Sequence, residues 1–299
     1  MKRSLQLIAA LALTTGAFAA DNAAPKRHIL FFSKSAGFEH SVIKVKDGQP
    51  SFADKVLKEF GAKNNIEFTC TKDGSVFTPE GLAKFDAVLF YTTGDLTTTG
   101  TDRTPPMPKD GKETLMNYVK SGKGFIGSHC ATDTFHSRGQ QIDPYIDMVG
   151  AEFLSHGKQQ NSKIGCADAS FPGCSGCKDG YEMLEEWYSL KNIAKDLHVL
   201  LTQGTTGMDG WMYQRPAYPA TWAKAYGKGR VFYTSMGHRE DVWTNPLFQN
   251  LLLGAIRFAC GDAPGDTTPN IATVTPGAWT VPVAPPPAPK GDKKTDKKK

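Results

Sequence analysis

Gly122-Lys123-Gly124-Phe125-Ile126-Gly127-Ser128-His129-Cys130-Ala131-Thr132-Asp133 is the stretch on which the fold turns. Small residues lead into a short apolar strand, Phe125-Ile126, which ends in a tight Gly-Ser-His-Cys turn, with a helix expected a few residues later. In an open α/β sheet that geometry lifts one side chain clear of the carboxyl edge of the strands, where such folds bind ligands. The lifted residue here is His129 or Cys130, both able to do chemistry, with Asp133 one turn further on.

On either side, apolar runs bounded by turn residues alternate with helical spacing, which predicts βαβ units and a mostly parallel sheet. Strands are expected at His28 to Ser33, Ile66 to Cys70 and Phe85 to Tyr91. Helices are expected at Ser51 to Asn64, Gly111 to Ser121, Ile142 to Val149 and Asn245 to Phe258, from the recurrence of apolar residues every three or four positions. Glu185 to Leu190 and Leu197 to Leu201 read as strands, and Pro219 to Tyr226 pairs with Gly229 to Ser235 across a Gly227-Lys228 hairpin turn. The fold class is α/β, a three-layer sandwich around a mostly parallel central sheet. There are no internal repeats.

Both chain ends read as something other than fold. Met1-Lys2-Arg3, the apolar run Leu5 to Leu13 and Ala17-Phe18-Ala19 make a Sec signal peptide over residues 1–19, cleaved after Ala19, which predicts a periplasmic or secreted protein. That run is too short to span a bilayer, and no other segment approaches the length of a membrane span. Residues 262–299, with Pro285-Pro286-Pro287 and a closing Lys297-Lys298-Lys299, read as a disordered Pro/Lys-rich tail. Residues 27–260 remain as one domain with a sizeable core.

The net charge is +5, but Lys2 and Arg3 supply +2 and the last ten residues +4, so the body is near −1. A nucleic-acid partner would need a basic stripe on the body, and none is present. Of the six cysteines, Cys166, Cys174 and Cys177 share a Gly-rich loop; in an exported protein this predicts a loop-stapling disulfide among them.

These stretches together resemble the trehalose-utilization (ThuA-like) family of the class I glutamine amidotransferase-like superfamily. The resemblance covers about residues 27–260. It rests on His28 to His40 with Gly37-Phe38-Glu39-His40, Phe85 to Gly94, Gly124 to Ala131, Val149 to Phe153 with His156, and Tyr226 to Tyr233 followed by Met236-Gly237-His238. It implies a flavodoxin-like sandwich and a role in disaccharide and keto-sugar metabolism. Amidotransferases of the superfamily carry a Cys at the elbow and a late His-x-Glu; here His238-Arg239-Glu240 matches the second, but the elbow position falls on His129 and Cys130 comes one residue late. One residue changes the side-chain direction, so a functional glutamine amidotransferase is not expected.

The strand ends then gather the chemistry. His129, His238, Asp133 and Glu240 are the expected catalytic residues, with Asp133 or Glu240 orienting an imidazole. His40, Asp95, His156, Glu186, Trp187, Trp211 and Tyr213 are the expected substrate contacts, the aromatic rings stacking on the apolar faces of a sugar. No cofactor motif is present. No His pair shows H-x-x-x-H or H-x-H spacing, so a divalent metal would have to draw His and carboxylate ligands from separate loops. The expected function is an exported enzyme acting on a sugar or keto-sugar by His/carboxylate acid–base chemistry, hydrolase- or isomerase-like. The alternatives are a non-catalytic carbohydrate-binding or sensing domain, and a thiol hydrolase using Cys130. The partner expected is a small-molecule sugar; oligomeric state is left open.

Overall fold

The computed structural model describes residues 25–286. Residues 1–24, which include the stretch expected to be a signal peptide, and residues 287–299 of the expected tail lie outside the described residues. In chain order the elements are β1 (Arg27–Phe32), β2 (Ser35–Ala36), α1 (Phe52–Asn64), β3 (Ile66–Thr71), α2 (Pro79–Leu82), β4 (Ala87–Phe90), β5 (Thr93–Gly94), α3 (Gly111–Lys120), β6 (Gly124–Ser128), α4 (Pro144–Val149) and β7 (Glu152–His156). They continue with β8 (Gln160–Cys166), β9 (Tyr181–Glu185), β10 (Tyr188–Lys191), β11 (His198–Gln203), β12 (Tyr218–Tyr226), β13 (Gly229–Thr234), α5 (Glu240–Trp243), α6 (Pro246–Cys260) and α7 (Ile271–Val274).

Nine strands form one sheet in the order β3-β1-β4-β6-β13-β12-β11-β8-β9. The pairings from β3 through β13 are parallel. Those from β13 through β9 are antiparallel. The sheet is therefore mixed, its parallel strands running from the β3 edge to the central β13 and its antiparallel strands from β13 to the β9 edge. Helices α1, α5 and α6 touch one another in one layer, and α2, α3 and α4 in the other. Because the inner parallel strands are covered on both faces, they read as unbroken buried runs: every residue of β4 and β6 is buried, whereas the edge strand β3 is partly exposed. The chain passes from β1 to β3 on one side and to β4 on the other, so a topological switch point lies between β1 and β4 at the carboxyl edge.

Local signals set the element ends. Ser51 caps α1 in a reciprocal box with Asp54: the Asp54 amide donates to Ser51 Oγ (3.2 Å) and the Ser51 amide to Asp54 Oδ2 (2.9 Å). Asn65 closes that helix in the left-handed region. Helix α6 is apolar on most sides and packs on β6 and β13.

Two expectations are corrected. Residues 262–286 are not loose: Ile271 and Ala278 are buried in the core, and the Asn270 side chain pairs with the backbone of Val199, accepting from its amide (2.6 Å) and donating to its carbonyl (3.1 Å). Trp279 Nε1 donates to the Ile193 carbonyl (3.0 Å). A few well-placed apolar and amide groups offset the ordering entropy that the average composition of the segment argues against. The loop staple is also absent, since all six cysteines are free thiols. Cys174 and Cys177 are buried around one short 3-10 turn and serve as small apolar residues, while Cys166 ends β8.

Candidate functional site

His129 follows β6 directly, and the chain turns into a 3-10 turn, His129–Asp133, with no intervening loop. Its φ of 45° lies in the left-handed region, uncommon for a residue with a side chain. The turn is held from β13: Tyr233 Oη donates to the His129 carbonyl (2.7 Å) and lies 3.1 Å from Thr132 Oγ1. The His129 ring is fully buried, and its Nδ1–H donates to the Ser235 carbonyl (3.0 Å). A carbonyl can only accept, so Nδ1 carries the proton and Nε2 keeps its lone pair.

His238 sits on the segment after β13. Ser128 Oγ donates to the Met236 carbonyl (2.8 Å), and Tyr91 Oη (3.0 Å) and Trp243 Nε1 (2.7 Å) both donate to the Gly237 carbonyl. Gly237 has φ 120°, and a Cβ there would meet Ser128 Oγ at 2.7 Å, so only glycine lets this segment lie against the elbow strand. The His238 amide donates to Glu185 Oε1 (2.5 Å). His238 Nδ1 then stands 3.3 Å from His129 Nε2.

His40 comes from the loop beyond β2, at the switch point. Its ring is nearly perpendicular to those of His129 and His238, with centroids 5.0 and 5.2 Å away. The ring is 2% exposed and its Nδ1 has no hydrogen-bond partner, while Nε2 lies 3.5 Å from Tyr188 Oη.

The fourth member comes from the antiparallel half. The sequence reads Glu185 to Leu190 as one strand, but β9 stops at Glu185 and β10 starts at Tyr188 in a different sheet. The break turns Glu186 onto the histidines. Its Oε2 is 3.0 Å from His238 Nδ1 and 3.5 Å from His129 Nε2, and its Oε1 is 3.2 Å from His156 Nδ1. Tyr188 covers the His129 ring at a centroid distance of 4.1 Å. One ligand-capable atom from each of His40, His129, Glu186 and His238 lies within 4.8 Å of the others.

Burial, reinforced by the neighbouring His129, drives His40 down to about 2, and burial also lowers His129 against the pull of Glu186. Burial alone would raise Glu186, but its interactions with the facing His129 and His238 rings outweigh burial and hold the carboxyl well below its usual range. At neutral pH the pocket therefore holds neutral imidazoles at His40 and His129 facing an ionised carboxylate. Burial pushes the neighbouring Glu185 up to about 7 against the opposing pull of the His238 amide.

The other expected residues separate into neighbours and outsiders. His156 belongs to the site: it is exposed at the rim and its Nδ1 is also 2.9 Å from the Gly157 carbonyl. Asp133 does not orient His129; it pairs with His136 Nε2 (2.8 Å), whose Nδ1 meets Glu152 (3.1 Å). Glu240 is exposed at the start of α5 and makes no contact with an imidazole of the cluster. Asp95 caps its own turn, accepting from the Thr97 amide (3.0 Å) and hydroxyl (2.7 Å). Trp187 is fully buried and its Nε1 donates to the Gln160 (3.1 Å) and Met183 (3.3 Å) carbonyls, because the residue after Glu186 falls on the opposite face. Tyr213 is a strut, donating to the Trp187 carbonyl (2.6 Å) and accepting from the Gly157 amide (2.9 Å). Trp211 packs, half-buried, against the core. The aromatic surface beside the histidines is instead Phe38, 68% exposed and 4.9 Å from the His40 ring, with Tyr188 and Phe153 behind it. Cys130 is fully buried, and burial pushes its thiol well above the usual range. The Ser235 carbonyl and Glu185 were not singled out by the sequence; a partner on the backbone leaves no residue-type signal.

A depression of about 370 Å³ lined by Ser41, Gln159, His238, Arg239, Glu240 and Asp241 reaches the cluster at His238 alone; His40, His129 and Glu186 do not line it. A larger one, about 880 Å³, lies along α1 and β3 and contains no histidine. No helix among the described residues is long and apolar enough to cross a membrane.

A doubly wound sheet with its polar groups gathered above the carboxyl edge defines the molecule as a flavodoxin-like, amidotransferase-like α/β protein. A family model described as trehalose utilisation, ThuA, matches residues 28–259, and the chain belongs to that family. Among solved structures it is similar to a ThuA-like protein from Bacteroides uniformis ATCC 8492, with a TM-score of 0.61 at 18% identity over 82% of this chain and 95% of that one. A ThuA-like protein from Parabacteroides merdae ATCC 43184 gives 0.55 at 15% identity over 87% and 98%. A cytoplasmic protein from Salmonella typhimurium LT2 gives 0.51 at 19% over 78% and 97%. At these identities the likeness is one of fold. No curated protein matches the chain.

Proposed function

We propose that the chain is an exported enzyme of disaccharide catabolism that acts on a sugar or keto-sugar at the cluster of His40, His129, Glu186 and His238. The observation that carries this reading is the double use of Glu186: Oε2 faces His129 and His238, while Oε1 lies behind His156 Nδ1. The Glu186 carboxylate and the Gly157 carbonyl both face His156 Nδ1 and place its proton there, so the Nε2 lone pair is the proton acceptor at the rim. The oxygen on which charge develops is directed at the histidine cluster, and Phe38 offers a face for the ring.

For a 3-keto-glycoside the chemistry balances simply. His156 takes the proton on C2, the C–H electrons form a C2–C3 double bond and move charge to the carbonyl oxygen, and that oxygen sits against the cluster. Return of the charge either reprotonates C2 on the opposite face, an epimerisation, or expels the glycosidic oxygen from C1, which takes up the proton held by His156; water then adds its OH to C1 and its H to C2, completing cleavage of the disaccharide. The family description, trehalose utilisation, supports a disaccharide substrate. The burial of Cys130 speaks against thiol hydrolysis.

The test is incubation of the protein with a panel of disaccharides and their 3-keto forms, with products read by mass spectrometry. Turnover of a keto form, lost in His156→Ala and Glu186→Gln, is expected. Tight sugar binding without turnover would make the domain a sensor and overturn the reading. Export is tested separately: the intact mass of the protein recovered from its native host is expected to lack residues 1–19.

A further inference from the structure

We propose that His40, His129, Glu186 and His238 hold one divalent transition-metal cation, and that this ion is the group which grips the substrate oxygen. The proposal deepens the reading above and rests on the same cluster as the sugar site.

Spacing is the first argument. Metal–nitrogen and metal–oxygen bonds are about 2.0–2.2 Å, so donors around one ion stand roughly 3–4 Å apart. One donor atom from each of the four residues already lies within 4.8 Å of the rest. Four separate segments deliver them: the loop beyond β2, the elbow after β6, the break between β9 and β10, and the Gly237-braced segment after β13.

Second, the tautomer of His129 is set from behind. Its Nδ1–H donates to the Ser235 carbonyl at 3.0 Å, leaving the Nε2 lone pair toward Glu186 and His238. A backbone carbonyl on the far nitrogen is how proteins orient a metal-binding imidazole. Third, His40 is 2% exposed with an unpartnered Nδ1, among rings that are themselves imidazoles. Leaving a buried polar atom unpaired is costly, and a cation shared by the trio removes that cost.

The donor set names the class of ion. Three imidazoles and one carboxylate suit zinc, iron(II), manganese(II) or cobalt(II), whereas calcium and magnesium want oxygen. His40 and His129 are buried, while His238 lines the surface depression, Glu186 contacts the exposed His156, and the exposed Phe38 packs on the His40 ring. Open coordination positions on that side would take a keto oxygen and its neighbouring hydroxyl, the two adjacent oxygens that distinguish a keto-sugar.

The untagged full chain, stripped with a chelator, is titrated calorimetrically with zinc, manganese(II) and cobalt(II) chlorides. One ion per chain is expected, with visible absorption for cobalt and a raised Tm. His40→Ala and His238→Ala are each expected to weaken binding at least tenfold. Glu186→Gln, which keeps shape and so keeps folding, is expected to do the same. His136→Ala, outside the cluster, is expected to bind normally. Stoichiometry near zero for all three ions, or binding that survives Glu186→Gln and His40→Ala unchanged, overturns the metal site. The sugar assay separates the two readings. Full turnover by the stripped protein with chelator present overturns the metal inference and leaves the sugar reading standing. One ion per chain, with no sugar of the panel bound or turned over, does the reverse.

Discussion

Strands β3, β1, β4, β6 and β13 run parallel under helices on both faces, and β4 and β6 are buried at every position. Strands β8 and β9, at the antiparallel end, alternate buried with more exposed residues along part of their length. The first half places histidines at strand ends, where a stiff scaffold fixes direction. The second half interrupts itself between β9 and β10 and so delivers the carboxylate that ties those histidines together. A site that needs neutral imidazoles beside an ionised carboxylate is assembled from one region that forbids water and another that ends in it.

The comparison breaks first at the chemistry. His129→Ala from the parallel half and Glu186→Gln from the antiparallel half should each lower kcat/KM on the active keto-sugar by about 10²–10⁴ while leaving the circular dichroism unchanged. Equal loss from both sides supports a shared site; a large effect from His129 alone would reduce Glu186 to a bystander.

Stability separates the halves next. Phe90, fully buried in β4, packs against Phe32, Phe77 and Phe125, and Phe90→Ala should cost about 3–5 kcal/mol in urea unfolding. Leu184, 40% exposed on β9, should tolerate Ala within about 0.5 kcal/mol. Similar costs would deny the contrast.

Between these sizes lies the docked segment beyond α6. Asn270→Ala removes both hydrogen bonds to Val199 and should cost about 1–3 kcal/mol, read as a fall in Tm. An unchanged Tm would return residues 270–279 to the status of a loose tail.

The fully buried Glu152 carboxylate beside the elbow gives a pH signature. Burial would raise it, but the side chains of Ser137, Asn192, His136 and Lys191 outweigh burial and lower it from 4.5 to about 2. A carboxyl lowered in the folded state adds stability that is full above its unfolded value and is lost as pH falls from about 4.5 toward 2. Glu152→Gln should flatten that acid limb of a Tm-against-pH curve; a limb that stays as steep contradicts the assignment.

The parallel half was legible because burial on both faces writes an unbroken apolar run, as in Phe85 to Tyr91 and the elbow strand. His40, His129 and His238 could be placed at one edge from topology alone, since each follows a strand of that half. What could not be read was decided by contacts distant in sequence. Glu185 to Leu190 alternates like one strand, and nothing local marks the change of sheet that turns Glu186 inward and buries Trp187. Asp133 and Glu240 stood close in sequence to the histidines, but their nearest partners in space are His136 and solvent. The segment beyond 262 averaged as a tail because its anchors, Asn270, Ile271, Ala278 and Trp279, are few among many Pro, Thr and Asp residues.

The most direct measurement is a crystal structure of the protein soaked with a 3-keto-disaccharide at saturating concentration. The account predicts a sugar ring on Phe38, its keto oxygen directed at the histidine cluster, and C2 within reach of His156. A sugar seated instead in the depression along α1 and β3, with the histidine cluster empty of ligand, would contradict it.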